Sequence, residues 1–306
     1  MEAHAVAVIG SGAIGTVVSQ LIPGAVLSGR RNLKPVFKGQ AIENYFCGKN
    51  VITGSNTAIF CLKSYDMYQA LIDYKPFMTP GQAVILMCNG FAHRTFSRRC
   101  LRDFPRVFAG FTTIAAVKTG NTAEMIAGGT VTLSPLNDKA GPAPVLPGIS
   151  CSEGDYREQS WKKGLLNALV NLPSTLFETT NDELFAHQHM ADLVADLHEE
   201  LSLLCERLGL LAPSLSQLRS QVESTGKNVC STLQDYRNGR PCELPHITGQ
   251  MLKAANRSGF NAELLKALHY MVLDKFQARS KPENDKVDDS DLPAILKKTT
   301  SSLWLP

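Results

Sequence analysis

No stretch of this chain comes near the roughly 18 consecutive apolar residues that a membrane helix needs, so no segment is expected to span a bilayer. Charge is also scarce: 19% of the 306 residues are charged, the net charge is +3, and no block of five or six basic residues occurs. That balance does not point to nucleic acid as a partner. The eight cysteines never fall in a Cys-x-x-Cys pair or at zinc-like spacing with histidine, so neither a metal ribbon nor a disulfide framework is indicated. His187 and His189 are two apart and do not share a helix face, so no metal is expected there either. The first residues are apolar from Ala3 to Ile9 but lack a basic n-region, unlike a secretory signal. Cys61 and Cys88 sit inside apolar runs, as reduced thiols of a cytoplasmic core would. A soluble cytoplasmic protein is therefore expected.

What is present begins with "AVAVIGSGAIGTVVSQLI", residues 5–22: an apolar strand, then Gly10-x-Gly12-x-x-Gly15, then a helical run. In a dinucleotide-binding turn the first glycine permits the bend and the second lets the backbone approach the pyrophosphate. The third lets helix and strand pack closely, and the helix N-terminus offers free N–H groups to phosphate. Gly10, Ser11, Gly12, Ala13, Ile14 and Gly15 are thus expected at a cofactor. The acid that an NAD enzyme carries about 20 residues further on is missing. In its place "AVLSGRRN" ends a second strand with Arg30 and Arg31. Guanidinium groups suit a 2′-phosphate and point to NADP, unless they are simply a solvated pair in a loop.

Further apolar strands are expected at 57–63, 82–90, 106–116 and 128–135, with a helix between the first two. Such alternation predicts a parallel sheet covered on both faces, with ligands beyond the carboxyl ends of its strands, where Lys63 and Asn89 stand. A proline-rich loop, 137–147, closes this part. Helical patterns follow at 158–171, 183–208, 214–236, 243–258 and 261–279. The fold class expected is α/β: a Rossmann-like nucleotide-binding domain at 1–150, then a mostly helical domain at 151–280. A charged tail poor in apolar pattern, expected to be flexible, occupies 281–306.

Within "SWKKGLLNALVNLPSTL", residues 160–176, Lys163, Asn167 and Asn171 recur at four-residue intervals among leucines. An amine and two amides on one helix face are costly to bury unless hydrogen-bonded. They either satisfy each other in a core or face a cleft that takes a polar ligand. In the second case a lysine ammonium could stabilise and protonate the oxygen of a ketone being reduced.

The chain resembles the ketopantoate reductase (2-dehydropantoate 2-reductase) family. The likeness is carried by "IGSGAIG", "CLK" at 61–63, "CNG" at 88–90, "TTIAA" at 112–116 and "WKKGLLNALVN" at 161–171. It continues through "NVCSTLQDYRNGRPCEL" at 228–244 and "ITG" at 247–249. The resemblance implies NADPH-dependent reduction of ketopantoate to pantoate, toward pantothenate and coenzyme A. It implies Lys163 as proton donor and Asn167, Asn171, Asn181 and Ser231 as substrate contacts, with Asn89 shared between substrate and cofactor. Glu243 matches the acid that engages the cofactor and helps hold the lysine, and Arg30, Lys63 and Ala116 match NADP contacts. The implied partner is a small 2-oxo acid, the implied assembly a monomer or homodimer. A paralogue acting on another 2-oxo acid and an NADP-binding regulator without catalysis are the alternatives. The segment before "WKK" is short for the family, and Pro245 follows Leu244 where relatives commonly have Asp.

Overall fold

The structure, a computed structural model, describes residues 5–30, 32 and 34–280. Arg31 and the charged tail lie outside the described residues.

The chain opens with β1 (Val6–Ile9), α1 (Ala13–Leu21) and β2 (Val26–Ser28), followed by three two-residue strands, β3 (Val36–Phe37), β4 (Gln40–Ala41) and β5 (Tyr45–Phe46). Then come β6 (Thr57–Cys61), α2 (Ser64–Tyr74), β7 (Ala83–Met87), α3 (His93–Cys100) and β8 (Val107–Thr112). These are followed by β9 (Ala115–Thr119), β10 (Thr122–Ala127), β11 (Thr130–Pro135) and β12 (Ser150–Glu153). The main sheet runs β12-β11-β8-β7-β6-β1-β2-β5. Its central strands are parallel, and only β11 pairs antiparallel, with β8. β1 is central, with β2 on one side and β6 on the other, which makes the crevice above its carboxyl end the switch point of a Rossmann-like fold.

The apolar runs that predict these strands are long because both faces are covered. Val8, Ile59 and Ile85 pack with Val17 and Val18 of α1 and with Ile22, which follows it. Ala7, Phe60 and Leu86 point the other way, to Met67 and Leu71 of α2 and Phe96 of α3. A smaller sheet, β4-β3-β10-β9, lies against α1.

From Tyr156 the chain is helical: α4 (Tyr156–Phe177), α5 (Gln188–Arg207), α6 (Leu215–Glu223), α7 (Ser231–Arg237), α8 (Thr248–Ser258) and α9 (Glu263–Ser280). These share a separate core built on Leu165, Leu169, Leu197, Leu201, Leu204 and Leu265.

Three expectations need correction. The strand at 106–116 breaks after Thr112, whose side-chain oxygen accepts from the Ile114 N–H at 2.9 Å, and the chain crosses to the smaller sheet as β9. A local side-chain bond there competes with the ladder. β10 was not expected, and β11 starts only at Thr130, after Gly128 and Gly129 at φ +87° and +145°. The helix at 214–236 is two, separated by a turn through Gly226 at φ +53°, with Cys230 capping the second. β12 pairs parallel with β11, so the chain leaves the sheet after Glu153.

Candidate active site

The glycine turn closes as its spacing requires. At Gly10 the backbone has φ +111°, and a Cβ there would run into the carbonyl oxygen of Cys61; one on Gly15 would collide with the carbonyl of Gly10. α1 can therefore approach β1 and β6 only with glycine at both positions. A Cβ on Gly12 would meet nothing within 4 Å, and no side chain caps α1. Open space beside uncapped N–H groups is what a dinucleotide pyrophosphate needs, so the turn fits that group.

Around the turn stand three charged residues. Arg30 lies just past β2, its side chain 84% exposed and 3.3 Å from Asp66 in the first turn of α2. Lys118 was not anticipated. It lies on β9 two residues beyond Ala116, hence on the same face, and its ammonium donates to the carbonyl of Ser11 at 2.5 Å. Its only sequence signal is that period of two.

Lys63 ends the loop after β6. Its ammonium donates to Asp235 at 2.7 Å and to Glu243 at 3.1 Å. Both acids come from the helical half and are buried, at 1% and 3% exposure. Burial alone would depress the Lys63 pKa, but the two carboxylates outweigh it and hold the amine protonated above its ordinary range. Glu243 also accepts from the Ser64 N–H at 2.9 Å and from Asn89 Nδ2 at 3.0 Å. It thus caps α2 at the positive end of that helix. Burial pushes Glu243 up, yet the Lys63 charge and these hydrogen bonds leave it below the usual carboxylate value.

The expectation from the resemblance is that Glu243 helps hold Lys163; the carboxylate bonds observed go to Lys63, Ser64 and Asn89. Glu243 holds Lys63 and Asn89, and the Lys63 amine expected at NADP is engaged by two acids. Asp235 was missed, although it is the acid in the quoted "STLQD".

Lys163 rises from α4 and donates to the carbonyl oxygen of Thr112, at the carboxyl end of β8, over 3.0 Å. Burial lowers its pKa below the ordinary lysine value. One and two turns on, Asn167 and Asn171 have buried Nδ2 atoms with no hydrogen-bond partner among the described residues. Asn181 donates from Nδ2 to Thr225 at 2.7 Å, while its Oδ1 has no partner among the described residues. Ser231 is the first residue of α7, half-buried. The loop Asn89–Phe91 joins the two halves: Gly90, at φ +92°, lets the backbone lie against His246, whose carbonyl accepts from the Phe91 N–H at 3.1 Å. The Phe91 ring then stacks edge-on against Trp161 of α4, 5.3 Å away.

The site therefore combines a phosphate cradle, a partly desolvated amine and orphaned amide donors. Such a set can bind a nucleotide, orient a small polar molecule and hand it a proton.

Comparison with known proteins agrees in both halves. Residues 6–138 match the family described as "Ketopantoate reductase PanE/ApbA", and residues 155–275 match "Ketopantoate reductase PanE/ApbA C terminal". A 2-dehydropantoate 2-reductase of Salmonella typhimurium is 32% identical over 161 residues, which is 49% of this chain and 52% of that protein. The aligned stretch thus spans about half the length of that relative. Among solved structures, a PanE/ApbA family ketopantoate reductase from Ralstonia eutropha superposes with a TM-score of 0.74 at 19% identity, covering 90% of this chain and 99% of that one. D-mandelate dehydrogenase with NADH and anilino(oxo)acetate gives 0.76 at 17% identity, covering 89% and 98%. At these identities the structural likeness is one of fold.

Proposed function

We propose, from the premise that this chain belongs to the ketopantoate reductase family, that it reduces 2-dehydropantoate (ketopantoate) to pantoate with NADPH. The observation that carries this reading is Lys163, an amine of the helical half held 3.0 Å from the carboxyl end of a sheet strand. A reduced nicotinamide cofactor held by the Gly10–Gly15 turn would supply the hydride to the C2 ketone. The ketone oxygen then gains negative charge, which the Lys163 ammonium stabilises before it transfers its proton. Lys163 is left neutral and is reprotonated from solvent.

The burial that lowers the Lys163 pKa brings proton loss closer to working pH and strengthens its pull on the oxygen. Asn167 and Asn171 offer unpaired amide donors on the same helix face, suited to the carboxylate or hydroxyl of a 2-oxo acid. Lys63, Asp235, Glu243 and Asn89 fix the loops after β6 and β7, so the end of the sheet is presented in one arrangement.

The test is NADPH oxidation by the purified chain with ketopantoate and a panel of other 2-oxo acids. The expected result is the highest kcat/KM with ketopantoate. A faster reaction with another 2-oxo acid would move the substrate assignment to that acid. No oxidation with any of them, despite NADPH binding, would overturn the catalytic reading.

A further inference from the structure

β2 and β6 flank β1, so their carboxyl ends stand about two strand spacings, or about 10 Å, apart across the switch-point crevice. Arg30 follows β2, Asp66 lies in the first turn of the helix that follows β6, and their side chains meet at 3.3 Å. In folds of this kind the adenosine ribose lies at the end of the second strand, where an acid bonds its hydroxyls or an arginine takes a 2′-phosphate. In this chain the arginine occupies the strand end, and a carboxylate reaches the same place from α2. Sequence spacing alone shows only the arginine.

We propose that Asp66 is a specificity-determining residue for the cofactor, tempering the preference for a 2′-phosphate so that NADH is also accepted. The inference rests on the reading of the glycine turn as a dinucleotide site. The Arg30 guanidinium is engaged by the Asp66 carboxylate. A 2′-phosphate, carrying between one and two negative charges, must take that guanidinium while lying beside the Asp66 carboxylate. A 2′-hydroxyl meets no repulsion and can donate to the same carboxylate. The Arg30 side chain is 84% exposed and that of Asp66 35%, so the effect is solvent-screened and modest.

The experiment measures Kd for NADPH and NADH with the full chain and with Asp66→Asn, which removes the charge and keeps the shape. The expected result is NADPH binding tighter by about 3- to 10-fold, with NADH unchanged or weaker by a few-fold, both shifts shrinking at high salt. Arg30→Met is expected to weaken NADPH and spare NADH, which places the 2′-phosphate at this pair. If both nucleotides bind and Asp66→Asn leaves their ratio unchanged, the assignment of Asp66 is overturned while the dinucleotide reading stands. If neither binds the unsubstituted protein, the dinucleotide reading fails, and Asp66 falls with it.

Discussion

Lys163 and Thr112 are 51 positions apart, and the lysine ammonium donates to the threonine carbonyl over 3.0 Å. A cation carried by the helical half is thereby fixed at the carboxyl end of β8. Ligands of open α/β sheets bind at that end of the strands. The contact explains why a lysine is tolerated on a leucine-rich helix: it leaves its own core and finds an acceptor on the sheet.

The pH dependence of turnover should report this lysine. A general acid works only when protonated, so kcat should fall as pH rises through the Lys163 pKa. Burial lowers that pKa, so the alkaline limb is expected below the value of about 10.4 for a free lysine. A kcat profile for ketopantoate reduction, compared with Lys163→Arg, checks this. A profile flat up to about pH 10.4 would assign the proton to another group.

Lys63→Met should destabilise the fold. It leaves Glu243 and Asp235 buried without the ammonium that bridges them, although Arg240 stays 3.1 Å from Asp235. Breaking a buried pair by removing one partner costs about 3 kcal/mol or more. Urea unfolding should show a lower midpoint with an unchanged slope, partly restored by adding Glu243→Gln. An unchanged midpoint would mean the network contributes nothing to joining the two halves.

Lys118→Met should weaken NADPH and NADH by the same factor, about 5- to 10-fold, the size expected of one charge-assisted contact. Its ammonium lies against the Ser11 carbonyl in the glycine turn, where the proposed dinucleotide site would hold the pyrophosphate common to both nucleotides. Titration of each nucleotide measures it. A loss confined to NADPH would place Lys118 at the 2′-phosphate, and no loss would remove it from the site.

Stability should decline as pH falls from about 6.5 toward 4. His93 and His269 are 0% and 5% exposed, and burial depresses each pKa from 6.5 to about 4. The unfolded chain therefore binds more protons than the folded one between those values, and stability rises with pH there. The contribution is complete above pH 6.5, is lost as pH falls to about 4, and amounts to about 3 kcal/mol per histidine at most. Protonating His93 would also bury a second N–H at Nδ1, which has no partner among the described residues. Urea midpoints at pH 7 and 4.5 check this, with His93→Gln/His269→Gln giving the flatter profile. Equal midpoints in the unsubstituted protein would count against it.

The first βαβ unit and the polar stripe were legible because their signals are local. A strand covered on both faces reads as one apolar run, Gly10 and Gly15 have single steric reasons, and four-residue spacing puts Lys163, Asn167 and Asn171 on one face. The break after Thr112 was hidden because "FTTIAA" contains no turn residue, and a side-chain bond to the Ile114 N–H makes it. The division between α6 and α7 was masked by apolar residues that continue the helical period across Gly226. In the site, the pairing of Lys63 with Asp235 and Glu243 spans 172 and 180 positions, and contacts so distant leave no mark in spacing. Lys118 reaches Ser11 across 107 positions for the same reason.

Single-turnover reduction of ketopantoate by pre-bound NADPH tests the role of the Lys163 amine most directly. With Lys163→Ala the rate should drop by about 10²–10⁴-fold, the scale of a lost general acid, while NADPH affinity is retained. An unchanged rate would contradict the assignment, because the oxygen would then take its proton from somewhere else.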